Sequence, residues 1–245
     1  VFAGLAFHSL LEEAAPGPAA REQEELDYRL VLTEAQLAEA IDELRAAGEF
    51  AVDTETDSQD PMRAKLVGIS LCAGEGRAYY IPVAHQPEAL TVFGDPDDLT
   101  TAKMLEPMPP GRVKALLGPV LADPALGKMG HNIKYDLIVL ARAGMPVEGV
   151  VMDTMVASYL TDPSRMRHNL GEVSLQYLRR QTIPITELIG KGSKATTFDH
   201  APVDRACEYA CEDADMTWRL AKVFKPLLAE RKLEPLFKEV EIPLI

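Results

Sequence analysis

A short apolar segment of the chain runs directly into acidic residues: positions 50–59 read FAVDTETDSQ. Alternate residues of a β-strand share a face, so Asp53 and Glu55 are expected to be neighbours on one face, with Thr54 on the other. Two carboxylates beside a core repel each other and resist burial unless water, a cationic partner or a metal ion compensates. Taken alone, the segment fits a solvated strand end as well as a ligand site.

Two predicted helices carry a carboxylate within an apolar stripe. In NIKYDLIVLARAG (132–144), Ile133, Asp136 and Leu140 follow spacings of three and four residues, which place them on one face. The last long helix repeats the pattern, with Asp213 as its charged member and Tyr209 one turn earlier. Its stripe consists of Val203, Ala206, Ala210, Asp213, Thr217, Leu220 and Phe224. An ionised carboxylate in such a stripe costs several kcal/mol unless it is paired or binds a metal.

The four acids form an all-oxygen ligand set, because no histidines or cysteines occur at matching spacing. Such sets select hard cations such as Mg²⁺ or Mn²⁺. Two of these ions can bridge a phosphodiester, activate a water molecule and stabilise the leaving oxygen. The sequence therefore predicts phosphodiester hydrolysis, and this chemistry favours a ligand site at the end of the 50–59 segment.

The elements that must position these acids follow from the apolar periodicity. Thr33 and Gln36 form a capping box that opens a helix running through Leu44. Strands are predicted at 28–32, 49–54, 66–73, 78–83, 126–130 and 150–152, and a further helix at 133–143. The first strands read as an antiparallel meander and the later ones alternate with helices. This order indicates an α/β fold with a mixed sheet flanked by helices.

The composition limits the classes of protein. Apolar residues make up 47% of the chain, and no apolar run reaches the length of a membrane span, so a packed core is expected and a membrane location is not. The three cysteines fit neither a disulfide framework nor a zinc box, which favours a reducing, cytoplasmic setting. The net charge of −13 opposes bulk attraction to nucleic acid, so any such contact has to be local.

The motifs DTE (53–55), NIKYD (132–136) and YACED (209–213) together resemble the 3′–5′ exonuclease (proofreading) domain of bacterial DNA polymerase I. YIPVAH at 80–85, the GKG loop at 190–192 and the terminal EIPLI extend the resemblance over nearly the whole chain. It implies a ribonuclease-H-like fold with a mixed five-stranded sheet flanked by helices. It also implies a linker from a preceding 5′ nuclease region at 1–25, the exonuclease domain at 26–238, and at 239–245 the start of a connection to a polymerase domain.

The resemblance implies the acid constellation of the DEDD exonuclease superfamily in its tyrosine variant. Two divalent cations, Mg²⁺ or Mn²⁺ with Zn²⁺ as an alternative at one site, would be bound by Asp53, Glu55, Asp136 and Asp213. Tyr209 would orient the attacking water through its hydroxyl, since an ordinary phenol has a pKa near 10. The expected substrate contacts are Thr54, Gln59, Asn132, Tyr135 and Arg167.

The implied activity is metal-dependent 3′–5′ hydrolysis of DNA that releases deoxynucleoside 5′-monophosphates and proofreads for a DNA polymerase on the same parent chain. The partners would be a single-stranded or frayed 3′ end of DNA and the polymerase domain, in a monomeric protein of the bacterial cytoplasm. Two alternatives stay open. One is an RNA 3′-end exonuclease of the ribonuclease D kind, which shares the acids, and the other is a catalytically silent structural domain of a polymerase.

Gln59 stands where the family commonly has an apolar residue that packs against the terminal base. A stacked base is worth roughly 1 to 3 kcal/mol in single-strand binders. Glutamine offers a thinner surface, so either the wedge at this position is weaker in this chain or Ile185 or Phe198 packs against the base instead.

Other polar residues have structural interpretations. Asn132 fits a contact to the terminal nucleotide and a helix cap equally well. Asp153 with Thr154 is predicted to be a helix N-cap. Solvated positions or local caps are predicted for Asp57, Asp60, Glu212 and Asp215.

Overall fold

The computed structural model describes residues 25–92 and 103–245, apart from the side chain of Ser193. The linker predicted at 1–25 therefore lies, except for its last residue, outside the described residues. The strands are β1 (Asp27–Leu30), β2 (Glu49–Thr56), β3 (Leu66–Gly74), β4 (Arg77–Pro82), β5 (Thr91–Val92), β6 (Lys103–Met104), β7 (Gly127–Gly130) and β8 (Val150–Asp153). The α-helices are α1 (Glu34–Ala47), α2 (Pro110–Leu121), α3 (Ile133–Arg142), α4 (Thr154–Thr161), α5 (Leu170–Leu178), α6 (Thr186–Ile189), α7 (Val203–Glu230) and α8 (Glu234–Leu236).

The main sheet has six strands in the order β1-β4-β3-β2-β7-β8. β3 pairs antiparallel with β2 and β4, and the other pairings of this sheet are parallel. The predicted α/β class with a mixed sheet flanked by helices is confirmed. The sheet has one strand more than the five implied by the resemblance, because β1 pairs with β4 along all four of its residues and extends the edge.

The first helix begins and ends at signals visible in the sequence. The capping box is confirmed, because the Thr33 hydroxyl accepts a hydrogen bond from the backbone N–H of Gln36 and the Gln36 side chain accepts one from the backbone N–H of Thr33. The helix ends at Gly48, whose φ of 73° lies in the left-handed region that glycine adopts without steric cost. This turn leads directly into β2, the strand that carries two of the acids.

Helices cover both faces of the sheet, and β2 contributes to a core on each side. Phe50 and Val52 belong to a core built with α1, α2 and α3, whereas Ala51 belongs to a second core built with α4, α5 and α7. The predicted alternation along β2 is therefore confirmed. Asp53 and Glu55 continue the face of Ala51, which is the face covered by α7.

The long helix α7 carries the stripe predicted for it. Its apolar members and Thr217 are buried, whereas Asp213 is half-buried. The helix contacts β2, β3 and β4, so its middle lies over the centre of the sheet. This packing places Asp213 above the strand that holds Asp53 and Glu55.

The prediction of a solvated position or local cap is wrong for Asp215. Its side chain is 0% exposed and accepts hydrogen bonds from Tyr28 Oη, Gly76 N and Arg219 Nε, each at 2.9 Å. Arg219, four residues later on the same helix, was the one partner the sequence could indicate. Tyr28 and Gly76 come from β1 and the β3–β4 turn, so tertiary structure decides the burial.

Three other acids, Asp57, Asp60 and Glu212, were also predicted to be solvated or to act as local caps, and two of them do so. Asp57 and Asp60 are local caps as predicted, because they accept hydrogen bonds from the backbone N–H groups of Lys65 and Met62. Glu212 is buried and accepts a hydrogen bond from the backbone N–H of Ile183 at 2.5 Å. Its burial contradicts the prediction, because a segment 29 residues away in sequence covers it.

The residues that follow α7 pack against the rest of the domain. Phe237 is buried, and Ile242 and Ile245 pack against the two cores, so the residues after α7 fold back onto the sheet layers. The domain boundary at 238 stays a prediction.

In the part of the chain that the structure describes, no helix combines the length and apolar character needed to cross a bilayer.

Candidate active site

Three carboxylates from two elements meet where β2 faces α7. Asp53, Glu55 and Asp213 each have a carboxylate oxygen within 4.8 Å of the other two, and we call these residues the three-acid cluster. β2 places the first two acids on one face, and the middle of α7 brings the third over them. Glu55 is 6% exposed, whereas the other two are half-buried, so one side of the cluster is open to solvent.

Burial and mutual repulsion oppose ionisation of the cluster. Loss of hydration raises the pKa of Asp53 to about 7. Burial, followed by the charges of Asp53, Asp213 and Asp136, raises the pKa of Glu55 well above its ordinary range. Burial, followed by the charges of Asp53 and Glu212, does the same to the pKa of Asp213. A cation among these oxygens would offset both effects.

Asp136 approaches β2 from the other face of the strand. Its Oδ1 accepts hydrogen bonds from the backbone N–H of Thr54 at 3.0 Å and from the Thr54 hydroxyl at 2.6 Å. Asp136 is 3% exposed, and burial, followed by the charge of Asp53, raises its pKa. Ile133 and Leu140 are buried beside it, as the stripe on α3 predicted. Asp136 therefore lies next to the three-acid cluster, because it is hydrogen bonded to Thr54, the residue between Asp53 and Glu55.

The donor set fits divalent cations. Glu55 Oε1 is buried and accepts no hydrogen bond from any described residue, although an unpaired buried polar atom carries a free-energy cost. The neighbouring charges that act on Glu55 are those of the other three acids. Carboxylate oxygens are the ligands that Mg²⁺ and Mn²⁺ prefer. A bound cation would therefore offset the repulsion among the four carboxylates and give the Glu55 carboxylate a partner.

Tyr209 lies beside the three-acid cluster, one turn before Asp213 on α7. Burial, followed by the charges of Asp213, Glu55 and Asp53, raises the pKa of Tyr209 above its ordinary range. Its ring packs against Phe198, with 5.9 Å between the ring centroids. The phenol therefore keeps its proton at neutral pH and can act as a hydrogen-bonding group, but not as a base.

A cleft of about 440 Å³ opens next to the cluster. Residues that line it are Thr54, Glu55, Thr56, Asp57, Ser58, Gln59, Asn132, Tyr135, Ile185, Ile189, Thr196, Thr197 and Phe198. One wall comes from the end of β2, the loop after it and the start of α3. A second, more apolar part of the lining comes from the segment 185–198. This second wall has no periodic signal in the sequence, because its residues belong to short turns and a single-turn helix.

The cleft brings together most of the predicted substrate contacts. Thr54, Gln59, Asn132 and Tyr135 line it, and Arg167 does not. The Arg167 side chain is 75% exposed, and its guanidinium lies 3.3 Å from a carboxylate oxygen of Glu172. A contact from Arg167 to substrate therefore stays a prediction for a part of the substrate outside the cleft.

Asn132 has an unusual backbone conformation at the rim of the cleft. Its φ of 64° is left-handed, and its side chain makes no capping bond to α3. The N–H groups of Asn132 and Ile133 instead donate to the carboxylate of Asp153, which also caps α4 as predicted. The cap interpretation of Asn132 is therefore wrong. Non-glycine residues in this region are uncommon and occur often at functional sites.

Tyr135 connects α3 to the loop that follows β2. Its hydroxyl is 2.5 Å from Thr56 Oγ1 and also hydrogen bonds to the backbone oxygen of Ser58. Gln59 follows in the same loop, is exposed, and lines the cleft together with Ile185 and Phe198. Both candidate residues for packing against a terminal base are thus present in one cleft with Gln59.

Comparison with solved structures identifies the fold class. The POL domain of Pol1 from M. smegmatis, in complex with DNA primer-template and dNTP, matches with a TM-score of 0.63 at 21% identity, over 87% of this chain and 30% of that one. Escherichia coli RNase D, an exoribonuclease involved in structured RNA processing, matches with a TM-score of 0.61 at 19% identity, over 86% and 48%. The fold is the ribonuclease-H-like fold that the resemblance implied.

Comparison of sequences then identifies the family. The profile of a family described as 3′-5′ exonuclease matches residues 28–229. DNA polymerase I of Pseudomonas aeruginosa is 37% identical over 226 residues, which are 91% of this chain and 23% of that polymerase. The chain belongs to the 3′–5′ exonuclease family of DNA polymerase I, as its motifs predicted, and this membership implies divalent metal ions at the acidic site. It spans less than a quarter of the length of the polymerases it matches.

Proposed function

We propose that the chain hydrolyses DNA from the 3′ end, releases deoxynucleoside 5′-monophosphates and proofreads for a polymerase domain on the same parent chain. The observation that carries the proposal is that the three-acid cluster, Asp136 and Tyr209 lie together at one cleft. The likeness to proteins named DNA polymerase I supports DNA over RNA as the substrate. A monomer in the bacterial cytoplasm, with the exonuclease domain at 26–238, is part of the same proposal.

The metal assignment follows from the positions of the acids. Asp53, Glu55 and Asp213 would hold one divalent cation, and Asp136 would support a second one with Asp53 shared between them. We propose Mg²⁺ or Mn²⁺, because every donor is a carboxylate oxygen. When bound, two such ions activate water and stabilise the leaving oxygen of a phosphodiester.

The protein's own residues would orient the terminal nucleotide and the water. The apolar wall with Ile185 and Phe198 offers a surface against which a base can pack. The Asn132 side chain, which caps no helix, is available to the nucleotide at the rim. The protonated hydroxyl of Tyr209, beside Asp213, would hold the attacking water in line with the scissile bond.

The direct test is product analysis with single-stranded DNA labelled at its 3′ nucleotide. With Mg²⁺ we expect labelled deoxynucleoside 5′-monophosphate as the first product, and none with EDTA. An RNA of the same sequence is the matched substrate. Faster release from the RNA would favour the ribonuclease D alternative, and no release from either substrate with Mg²⁺ or Mn²⁺ would favour the silent domain.

Tyr209→Phe is expected to slow nucleotide release by roughly 10- to 100-fold, the usual effect of removing a group that orients a ligand at a metal site. Metal affinity should change little, because the carboxylates remain. Single-turnover rates and calorimetric Mn²⁺ titration measure the two effects. Tyr177→Phe is the control, because that half-buried ring packs against Phe224 and does not line the cleft. Loss of Mn²⁺ binding in Tyr209→Phe would show a different role.

Gln59→Leu is expected to lower KM for single-stranded 3′ ends by roughly fivefold, since an apolar contact with the terminal base is worth about 1 kcal/mol or more. Cleavage at paired ends should rise more than at mismatched ends, where the strand is already open. Steady-state kinetics on the two ends give the ratio. Gln59→Asn keeps the amide without the apolar gain and serves as the control. An unchanged KM and ratio in Gln59→Leu would assign the packing role to Ile185 or Phe198.

A further inference from the structure

The apolar part of the cleft lining depends on a segment with little structure of its own. Phe198 begins a single 3₁₀ turn, Phe198–His200, and residues 195–197 before it are exposed. The Phe198 ring lines the cleft and packs against the ring of Tyr209. A turn of this length has too few backbone hydrogen bonds to hold one conformation by itself, so contacts with other elements must fix the ring.

Gln86 makes two hydrogen bonds to Asp199, the residue after Phe198. Its side-chain Nε2 donates to Asp199 Oδ2 at 2.6 Å, and its backbone N–H donates to the backbone oxygen of Asp199 at 2.9 Å. The Thr197 hydroxyl donates to the other carboxylate oxygen. Burial opposes ionisation of Asp199, but the hydrogen bonds from Gln86 and Thr197 outweigh it and lower the pKa of this carboxyl group. The two side-chain bonds are therefore charge-assisted.

The segment that leads to Gln86 is fixed to the main sheet. The N–H groups of Val83 and Ala84, which follow β4, donate to the backbone oxygen of Val67 in β3 at 2.8 and 3.0 Å. Because β3 is an interior strand of the sheet, the backbone just before Gln86 has a firm position. Gln86 can therefore hold the turn at 198–200 in place relative to the strands.

His85 adds a second anchor for the same turn. Burial lowers its pKa to about 4, and backbone oxygens of Ala201 and Asp199 partly offset that effect. These oxygens favour the ring hydrogen on Nδ1, so the hydroxyl of the buried Tyr80 donates to Nε2 at 2.7 Å. The His85 ring also lies 6.2 Å from the Phe198 ring, measured between centroids. His85 therefore connects the turn to the core.

We propose that Gln86 is a positioning residue for the 3′-terminal base: its pair with Asp199 holds the turn that presents Phe198 to the cleft. The inference rests on the proposed function, in which this part of the lining packs against the base. Without the side-chain bond, the Phe198 ring would lose its fixed position and the base would lose part of its contact. A stacked base contributes roughly 5- to 140-fold to affinity in single-strand binders.

The test compares single-stranded DNA that has a normal 3′-terminal nucleotide with the same strand carrying an abasic 3′ end. In the wild type the base should improve binding by about fivefold or more, measured as KM with Mg²⁺ and as Kd by fluorescence anisotropy in EDTA at low salt. In Gln86→Ala this base preference should fall to about twofold or less. The value of kcat should change much less, because the metal-binding carboxylates are intact.

A reversed pair separates this role from a general loss of folding. Gln86→Glu places two carboxylates together and should remove the base preference. The double variant Gln86→Glu/Asp199→Asn restores a donor opposite an acceptor and should recover it. Glu88→Gln is the matched control, because Glu88 contacts His200 of the same turn at 3.2 Å but both side chains are solvent-exposed. Such a pair contributes little, so the preference should stay at the wild-type value.

A base preference that stays at the wild-type value in Gln86→Ala and Gln86→Glu overturns the inference, whether or not the melting temperature falls. The same conclusion follows if the wild type binds both ends equally or if the double variant recovers nothing. When the wild type still releases nucleotide with Mg²⁺, these results refute only the role of Gln86. A wild type that releases nothing refutes the proposed function instead, and the Kd values in EDTA then decide the role of Gln86 separately.

Discussion

Replacing Asp213 by alanine is expected to abolish nucleotide release and leave the protein folded. The carboxylate is one third of the three-acid cluster, and the Lewis-acid effect that the cluster supports is worth several kcal/mol of transition-state stabilisation, which corresponds to a loss of about 10³-fold or more. The apo protein should be as stable as the wild type or more so. Burial and the charges of Asp53 and Glu212 already disfavour the ionised form of the Asp213 side chain, and alanine fits a helix interior well.

Rates with Mg²⁺ and melting temperatures in EDTA measure the two sides of this prediction. Asp42→Ala is the control, because that aspartate is exposed on α1, on the other side of the sheet. Asp53→Ala should match Asp213→Ala in both measurements. Ordinary activity in either cluster variant would contradict the assignment of these acids, and unfolding of both would show that the carboxylates serve the fold instead.

Saturating Mg²⁺ is expected to raise the melting temperature of the protein, and more so at high pH. Binding to the folded state alone at 100 times Kd adds about 2.7 kcal/mol, which for a chain of this size corresponds to roughly 5–10 °C. The pKa of Asp53 is raised to about 7 in the folded state, and those of Glu55, Asp136 and Asp213 are raised too. In the unfolded chain these groups ionise near pH 4.

The sign of the pH effect follows from these shifts. A carboxyl group whose pKa is raised by folding contributes stability below pH 4, and this contribution is lost as the pH rises through its folded pKa. The apo protein should therefore lose stability as the pH rises from about 4 through about 7, the pKa of Asp53 in the folded state, whereas Mg²⁺, which replaces the protons, should remove this loss. Below pH 6.5 His85 and His131, whose pKa values are lowered to about 4, have the opposite effect on stability, so the test belongs at pH 6.5 and above.

Melting curves in EDTA and in Mg²⁺ across that range give the difference directly. Asp213→Ala is the internal control, because loss of one cluster carboxylate should weaken both the Mg²⁺ effect and the pH dependence in EDTA. A melting temperature indifferent to Mg²⁺ and Mn²⁺ at every pH would exclude a cation site at the cluster.

The local sequence determined the elements and the identity of the acids. Period-two alternation in 50–55 and the three- and four-residue spacings around Asp136 and Asp213 depend on the geometry of a single strand or helix, so they can be read from one segment at a time. The capping box at Thr33 and the N-cap at Asp153 are local for the same reason. The candidate ligands are all carboxylates, and this chemistry determined the expected class of cation.

Only the tertiary structure decided which groups meet and which remain apart. Asp215 looked solvated because two of its partners, Tyr28 and Gly76, lie 187 and 139 residues away. Residues distant in sequence also meet where the segment 185–198 lines the cleft, and the Tyr80 ring approaches Gly68 across two strands. Such contacts depend on strand register and on how α7 packs over the sheet, and neither is encoded in the periodicity of one element.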